Sequence, residues 1–246
     1  MLTQDRKALL LHRLACDGCL IAADLATELA LSEDTIRRDL RDLAAEGRLL
    51  RVHGGALPLS PTHAPVSVRQ SLHPRAKSAL AQAAAGLIRP GQIVLMDGGT
   101  THLALVSRLP PGLACTIVTH APAIAAALEP FPAIEILLIG GPILRLSMVA
   151  TGTQATESYA AIRADLCFLG VTGLHPETGL TTGHPEEAQL KARMIRSAAE
   201  TVVLATPDKL GATSPFRIAP LEAATTLIAP GPAPDWLPAG TRHLQA

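Results

Sequence analysis

From Arg75 onward, short runs of Ile, Val and Leu alternate with Ala-rich stretches of helical length, and this alternation constrains the fold more than any other feature. Apolar strands are expected at Ile93–Met96, Cys115–Thr119, Ile134–Ile139, Leu166–Leu169 and Val202–Ala205, with shorter ones near 216–218 and 225–228. Helices are expected at 75–88, about 101–109, 122–128, near 152–162, and from Glu186 to about Ala199, with a Gly- and Thr-rich loop before the last of these through 183. Strands alternating with helices predict a Rossmann-like parallel α/β sheet. Ligands of such sheets sit outside the carboxyl ends of the strands, where the strand order reverses.

The first quarter of the chain is built differently. Apolar positions Leu9, Leu10 and Leu14 mark one amphipathic helix over 3–16, and Leu25, Ala26 and Leu29 mark a second over 22–30. Only Ala30-Leu31 then precedes Ser32, an N-cap for a third helix in which Ile36, Leu40 and Leu43 form the apolar stripe. That spacing predicts a helix-turn-helix. Thr35, Arg37, Arg38 and Arg41 share the opposite face, where Arg37 and Arg41 form an i, i+4 like-charge pair that lacks a partner unless an anion lies opposite. Arg38 has Asp34 and Asp42 four residues away on either side to hold it. A capped helix with an apolar face and an Arg/Thr face suits a DNA major groove. Gly47 ends it, and Arg48–Ala56 has the alternation of a short basic hairpin, a wing that would set Arg48, Arg51 and His53 against phosphate or a minor groove.

Composition narrows the function. With 246 residues, 48% hydrophobic and 17% charged, the chain has ample core for one large or two modest domains. Aromatics at 2% argue against a single-strand nucleic-acid binder, which needs stacking platforms. Residues 1–56 hold eight Lys/Arg (6, 7, 13, 37, 38, 41, 48, 51) against nine Asp/Glu (5, 17, 24, 28, 33, 34, 39, 42, 46), so the local cluster at 37–51, rather than net charge, must attract DNA. No apolar run approaches a membrane span and no signal-peptide pattern opens the chain, so a reducing cytoplasm and no membrane partner are expected. Cys16-Asp-Gly-Cys19 has no second pair and only His12 nearby, so neither a metal site nor a cofactor is expected. Prolines 58, 61, 65 and 74 place a linker at 58–74, between a DNA-binding domain at 1–57 and an α/β domain at 75–246.

At this point the sequence resembles the DeoR/GlpR family of bacterial transcriptional regulators over nearly its whole length. The resemblance rests on Thr35-Ile-Arg-Arg-Asp-Leu40 followed by Arg51-Val-His-Gly-Gly-Ala56, together with Arg6 and the helix carrying Leu25–Leu29. In the second half it rests on Asp97-x-Gly-Thr-Thr101, Val118-Thr119, Gly140-Gly141, Asp165, Phe168, Gly170, Gly179-Leu-Thr181, Glu187-Ala188, Lys191 and Lys209. It implies a winged helix-turn-helix followed by an effector domain that shares its fold with ribose-5-phosphate isomerase and retains binding without turnover. Departures from the family pattern are Gly98, His102 after Thr101, His120 after Thr119, and Thr206 ahead of Pro207-Asp208-Lys209.

The loop Asp97-Gly98-Gly99-Thr100-Thr101 has its own physical rationale. It joins a buried strand to a helix, its glycines admit an anion to the backbone, and its N–H groups and hydroxyls donate to phosphate; an ordinary βα turn with a Thr cap is the plainer reading. Lys209, one of four lysines (7, 77, 191, 209) against seventeen arginines, suits a point charge for a sugar phosphate. Glu187 is placed to bond a sugar hydroxyl, although a carboxylate at a helix start is favoured anyway. Thr119, His120, Gly140 and Gly141 fall at strand ends as expected pocket lining, and Thr181, Thr182 and His184 lie in the loop that would close over a ligand. The combined expectation is a regulator, a repressor of a sugar or polyol catabolic operon, that binds double-stranded operator DNA as a homo-oligomer and responds to a phosphorylated sugar or polyol. Two rivals stand beside it: a sugar-phosphate isomerase with a DNA-binding head, and a module sensing a free sugar or nucleoside.

Overall fold

The computed structural model describes residues 2–17, 19–52, 54–57 and 66–246. Its N-terminal part runs α1 (Thr3–Asp17), β1 (Leu20–Ile21), α2 (Ala22–Glu28), α3 (Glu33–Ala45), β2 (Leu50–Val52) and β3 (Gly55–Leu57). Ser32 caps α3, its Oγ accepting the Thr35 N–H at 3.2 Å, and Glu33 and Asp34 occupy the first turn, where carboxylates complement the helix dipole. Ala30 adopts φ +53 in the turn between α2 and α3, and Gly47 follows α3 at φ +67. Ile36, Leu40 and Leu43 are buried against Leu10, Leu14, Leu25 and Leu49 in one apolar cluster confined to residues 10–56. The three short strands pair antiparallel in the order β1-β3-β2 and make the wing. His53 of that wing lies outside the described residues, as do the Cys16 side chain and positions 58–65 of the expected linker.

The remainder of that linker is not featureless. Val66–Arg69 forms a helical turn, α4, in a stretch free of proline from 66 to 73. The chain continues through α5 (Pro74–Ala85), β4 (Ile93–Met96), α6 (Thr100–Val106), β5 (Cys115–Thr119), α7 (Pro122–Ala127), β6 (Ile134–Leu138), β7 (Ile143–Leu144) and β8 (Val149–Ala150). It ends with α8 (Thr153–Ala160), β9 (Ala164–Leu169), β10 (Gly173–His175), β11 (Gly179–Thr182), α9 (Pro185–Arg196), β12 (Ala198–Leu204), β13 (Phe216–Ala219), β14 (Thr226–Ala229) and β15 (Arg242–Gln245).

Seven of these strands form one parallel sheet in the order β15-β14-β12-β9-β4-β5-β6. Alternate residues feed two cores. Val94, Met96, Leu166 and Phe168 pack with Leu80, Leu105 and Ile124 from α5, α6 and α7, while Leu95, Cys167, Leu169 and Val203 pack with Tyr159, Leu190 and Met194 from α8 and α9. The central strands β4 and β9 are therefore apolar at successive positions, as a sheet covered on both faces requires. The chain moves outward from β4 through β5 to β6, then returns to β9 on the other flank of β4. The strand order thus reverses between β4 and β9, and the loops leaving those two strands lie side by side at that reversal.

Three stretches differ from the sequence expectation. The Gly/Thr-rich segment before 183 is a β10–β11 hairpin rather than a loop, with Leu174 opposite Leu180 and Gly179 at φ +76 at the foot of the turn, and β13 pairs along it. A second hairpin, β7–β8, follows Gly140-Gly141. A last strand, β15, extends the sheet beyond β14. The missed strands are short, or carry threonines whose β-propensity is realised only once a partner strand is adjacent.

Candidate functional site

Two surfaces carry the expected functional side chains. On α3 the buried stripe also contains Asp39, 1% exposed, whose carboxylate receives the Arg6 guanidinium from α1, with Arg6 Nη2 3.2 Å from Oδ1. This buried pair locks α1 to α3 and explains why an aspartate stands among apolar residues. Arg37, Arg38 and Arg41 lie exposed on the other side. The charge pattern there differs from the sequence reading in two respects. Arg37 is not uncompensated, since Glu33 pairs with it at 2.5 Å. Asp42 does not hold Arg38; it stands 3.2 Å from Lys7 of α1, which also bonds Glu46 at 3.1 Å. Among the described residues Arg38 and Arg41 make no ion pair. An exposed pair such as Arg37–Glu33 contributes about 0.5 kcal/mol, so a phosphate can take over Arg37 at little cost. Ser32 and Thr35 share a hydroxyl contact of 2.9 Å at the helix start. Arg48 and Arg51 are exposed on the wing side of α3.

The second surface is a cleft at the carboxyl ends of β4 and β9, with an enclosed part of about 60 Å³, the scale of a few ordered waters or one phosphate group. Gly98, Gly99, Thr100, Thr101, Glu187 and Lys209 line it, as do Thr182, Lys191 and His102. Gly99 holds φ +117, a conformation that favours glycine, and it leaves the start of α6 without a side-chain cap. Thr181 packs inside the β10–β11 hairpin, its hydroxyl donating to the Gly173 carbonyl and accepting Ser214 N–H.

Asp97 does not line the cleft; it lies beneath and organises it. Its Oδ1 accepts Gly98 N–H at 2.7 Å, its Oδ2 accepts Gly170 N–H at 2.7 Å, and Lys191 Nζ stands 3.1 Å from Oδ2. One carboxylate thereby ties together the loops leaving β4 and β9. A Cβ on Gly170 would come within 2.8 Å of Asp97 Oδ2, so only glycine permits the approach. Burial by itself would raise the Asp97 carboxyl. The Lys191 cation, then His120 and His102, overcome it and hold the group well below the usual carboxylate range. Burial likewise opposes the Lys191 charge, yet Asp97 and Glu187 raise its pKa on balance. Lys191 also donates to the Gly170 carbonyl at 2.9 Å and stands 3.8 Å from Glu187.

His120 is fully buried behind Asp97. Its Nε2 is 3.3 Å from Oδ1, in ion-pair range but out of hydrogen-bond alignment, and its Nδ1 is 2.9 Å from the Tyr159 hydroxyl. Thr119 turns its hydroxyl onto Ala121 N–H. Gly140 and Gly141 form the turn after β6. These four positions lie at strand ends, as the sequence predicts, but the cleft wall does not include them, because the β4–β9 reversal places the opening one strand away.

Among the cleft residues that escape the sequence-based site list are Arg69, His73, Lys77 and Lys191. The scarcity of lysine that singles out Lys209 applies equally to Lys77 and Lys191, so that signal was present. Arg69 and His73 carried none, because they fall in the presumed linker. Lys209 is buried, not a solvated surface lysine, and burial lowers its pKa to about 8, with Asp208 opposing and Arg69, Lys191 and Lys77 reinforcing the shift. His102 is neutral near pH 7: burial lowers its pKa to about 4 against the pull of Asp97, and its Nδ1 is 3.0 Å from the Gly98 carbonyl.

Comparison with known proteins matches both parts of the chain. Residues 6–62 match the DeoR-like helix-turn-helix domain, and residues 72–230 match the DeoR C terminal sensor domain. The chain is similar to the HTH-type transcriptional regulator GlpR of Haloferax volcanii, at 32% identity over 94% of this chain and 91% of that protein. It is also similar to the HTH-type transcriptional repressor GlcR of Bacillus subtilis, at 31% identity over 93% of this chain and 88% of that protein. Among solved structures it is similar to ribose 5-phosphate isomerase A from Methanocaldococcus jannaschii, with TM-score 0.40 and 18% identity over 55% of this chain and 54% of that one. Among the described residues no helix is long and apolar enough to cross a membrane. With family matches covering a helix-turn-helix head and a sensor domain, the chain belongs to the DeoR family of transcriptional regulators.

Proposed function

We propose that this chain represses a sugar or polyol catabolic operon, binding double-stranded operator DNA through α3 and the wing and responding to a phosphorylated sugar or polyol held in the cleft. On this reading residues 1–57 are the DNA-binding head, 58–74 the connection and 75–246 the effector and oligomerisation domain. The observation that carries the effector class is the charge of the cleft. Arg69, Lys77, Lys191 and Lys209 line it against the two carboxylates Glu187 and Asp208, beside the glycine-rich Gly98–Thr101 loop. Excess cation around backbone donors favours a phosphate over a neutral sugar. The deciding experiment is a gel shift on the chain's own upstream and neighbouring promoters, titrated with sugar and polyol phosphates. No mobility change on any of those promoters would refute the operator reading.

The isomerase reading needs a carboxylate free to take a proton from carbon. Asp97 is buried, ion-paired and saturated with donors, and Glu187 already accepts from the Thr182 hydroxyl at 3.3 Å. Both favour binding over turnover; product analysis after incubation with pentose and hexose phosphates tests it. Displacement by non-phosphorylated sugars or nucleosides would instead favour the free-ligand reading. Two heads reading a twofold operator require a homo-oligomer. The edge strand β6 supports one, since Ile136, Leu137 and Leu138 are exposed along it and Ile143 and Met148 of the adjoining hairpin are exposed nearby. Replacing Leu137 and Leu138 with lysine should lower the oligomeric order seen by light scattering.

A further inference from the structure

One wall of the cleft is made by the segment that arrives from the DNA-binding head. Arg69 at the end of α4, Leu72 and His73 in the turn that follows, and Lys77 on the first turn of α5 all line it. Two contacts hold this strap against the rest of the wall, and one more braces it internally. Val66 N–H donates to the Leu146 carbonyl at 3.2 Å, in the β7–β8 loop that also borders the cleft. The Lys77 ammonium donates to the Arg69 carbonyl, tying α5 to the end of α4. His73 Nε2 stands 3.3 Å from Asp208 Oδ1, the neighbour of Lys209. His73 itself holds φ +50 immediately before Pro74, a backbone geometry uncommon outside glycine.

Cations stand on both walls. Arg69 and Lys77 belong to the strap, and Lys191 and Lys209 belong to the sheet body. Asp97 and Glu187 engage Lys191 and also attract Arg69, and Asp208 serves both Lys209 and Lys77, so among the described residues these four cations share three carboxylates. The remaining positive charge favours an anion between the walls. A dianion there gains from both walls, so its affinity depends on where the strap sits, and by linkage the strap's position depends on occupancy.

We propose that the effector's phosphate group is gripped from two sides, by Lys209 and the Gly98–Thr101 loop on the body and by Arg69 and Lys77 on the strap, so that residues 66–77 are at once part of the effector site and the element through which occupancy reaches the DNA-binding head. This rests on the phosphorylated-effector reading above. It adds that the connection between the two parts of the chain is a ligand-contacting segment rather than a spacer. A neutral sugar, having no charge to bridge the walls, would leave the strap unchanged.

The test is hydrogen exchange on the full-length protein with inorganic phosphate and with ribose 5-phosphate as probes, with binding followed by calorimetry on the same samples. Bound probe is expected to slow exchange of the amides of residues 67–73 by about tenfold or more. In Arg69→Ala that protection disappears and probe affinity falls about tenfold, as for loss of one charge-assisted hydrogen bond. Arg69→Lys, which keeps the charge, restores part of both. Calorimetric binding with unchanged exchange at 67–73 would overturn the two-sided grip and leave a phosphate site on the body alone. Failure of both probes to bind would overturn the grip together with the phosphorylated-effector reading.

Discussion

Replacing Asp97 with asparagine tests whether one buried carboxylate organises the cleft. The native group, 1% exposed, accepts two backbone N–H bonds of 2.7 Å and pairs with Lys191, itself 5% exposed, at 3.1 Å. Asparagine supplies one acceptor oxygen and one NH₂ donor. If the oxygen faces Gly98, then Gly170 N–H and the Lys191 ammonium both meet a donor; if it faces Gly170, Gly98 N–H is stranded. One unmade buried hydrogen bond costs about 1–3 kcal/mol. A buried ammonium stripped of its partner brings the total to about 3–5 kcal/mol, toward the lower end here because Glu187 remains 3.8 Å away. For a chain of this length that is a fall in Tm of roughly 10 °C, read by circular dichroism melts and urea titration. Asp97→Asn combined with Lys191→Met removes the stranded charge and should recover about 2 kcal/mol. The pH dependence follows from the directions of the shifts. Asp97 is depressed, so its contribution is complete above the unfolded value of about 3.9 and is lost as pH falls through the folded value. Lys191 is raised, so its contribution is complete below about 10.4 and is lost as pH rises through its folded value. The wild-type advantage over Asp97→Asn should therefore be flat from about pH 5 to 10. A single variant within about 1 kcal/mol of wild type, or a double variant no more stable than Asp97→Asn, would refute the account.

Further outcomes follow from the same geometry. Arg38→Ala should abolish specific operator binding in a gel shift while calorimetric effector affinity survives; retained specificity would remove α3 from base recognition. Lys209→Ala should keep operator binding and lose the effector response, and an unaltered response would exclude this lysine from the site. Because burial lowers Lys209 to about pH 8, phosphate-ester affinity in the wild type should weaken as pH rises past that value and the ammonium discharges. The decline should be absent in Lys209→Met, and a wild-type profile flat to pH 9 would contradict the role. Asp39→Asn strands Arg6 between α1 and α3 and should cost the head about 3 kcal/mol, seen as lost operator binding together with a lower melting temperature; an unchanged melt would show that the pair is dispensable.

Much of this molecule was legible from local pattern alone. Cap, stripe and glycine stop define α3 within a residue or two, because helix ends are set by neighbouring side chains and backbone groups. The parallel sheet followed from the alternation of apolar runs and helices, and the Asp97–Thr101 loop from its place between a strand and a helix. Partners across space were not legible. Asp42 reads as support for Arg38 along the helix, yet Lys7 of α1 takes it. Arg6 enters the sequence reading only as one of the counted cations and a match to the family, yet it is buried on Asp39. Asp97 reads as a ligand contact and is instead the brace beneath one, because Gly170 and Lys191, 73 and 94 positions along the chain, close over it. The sequence by itself determined most of the elements, the apolar faces and the glycine-rich loop between β4 and α6, since each depends on residues a few positions apart. Only the tertiary structure decided which cations meet in the cleft. Arg69 and Lys77 come to face Lys209 because the strand order reverses between β4 and β9 and the arriving segment folds across the opening, and neither event is written at short range.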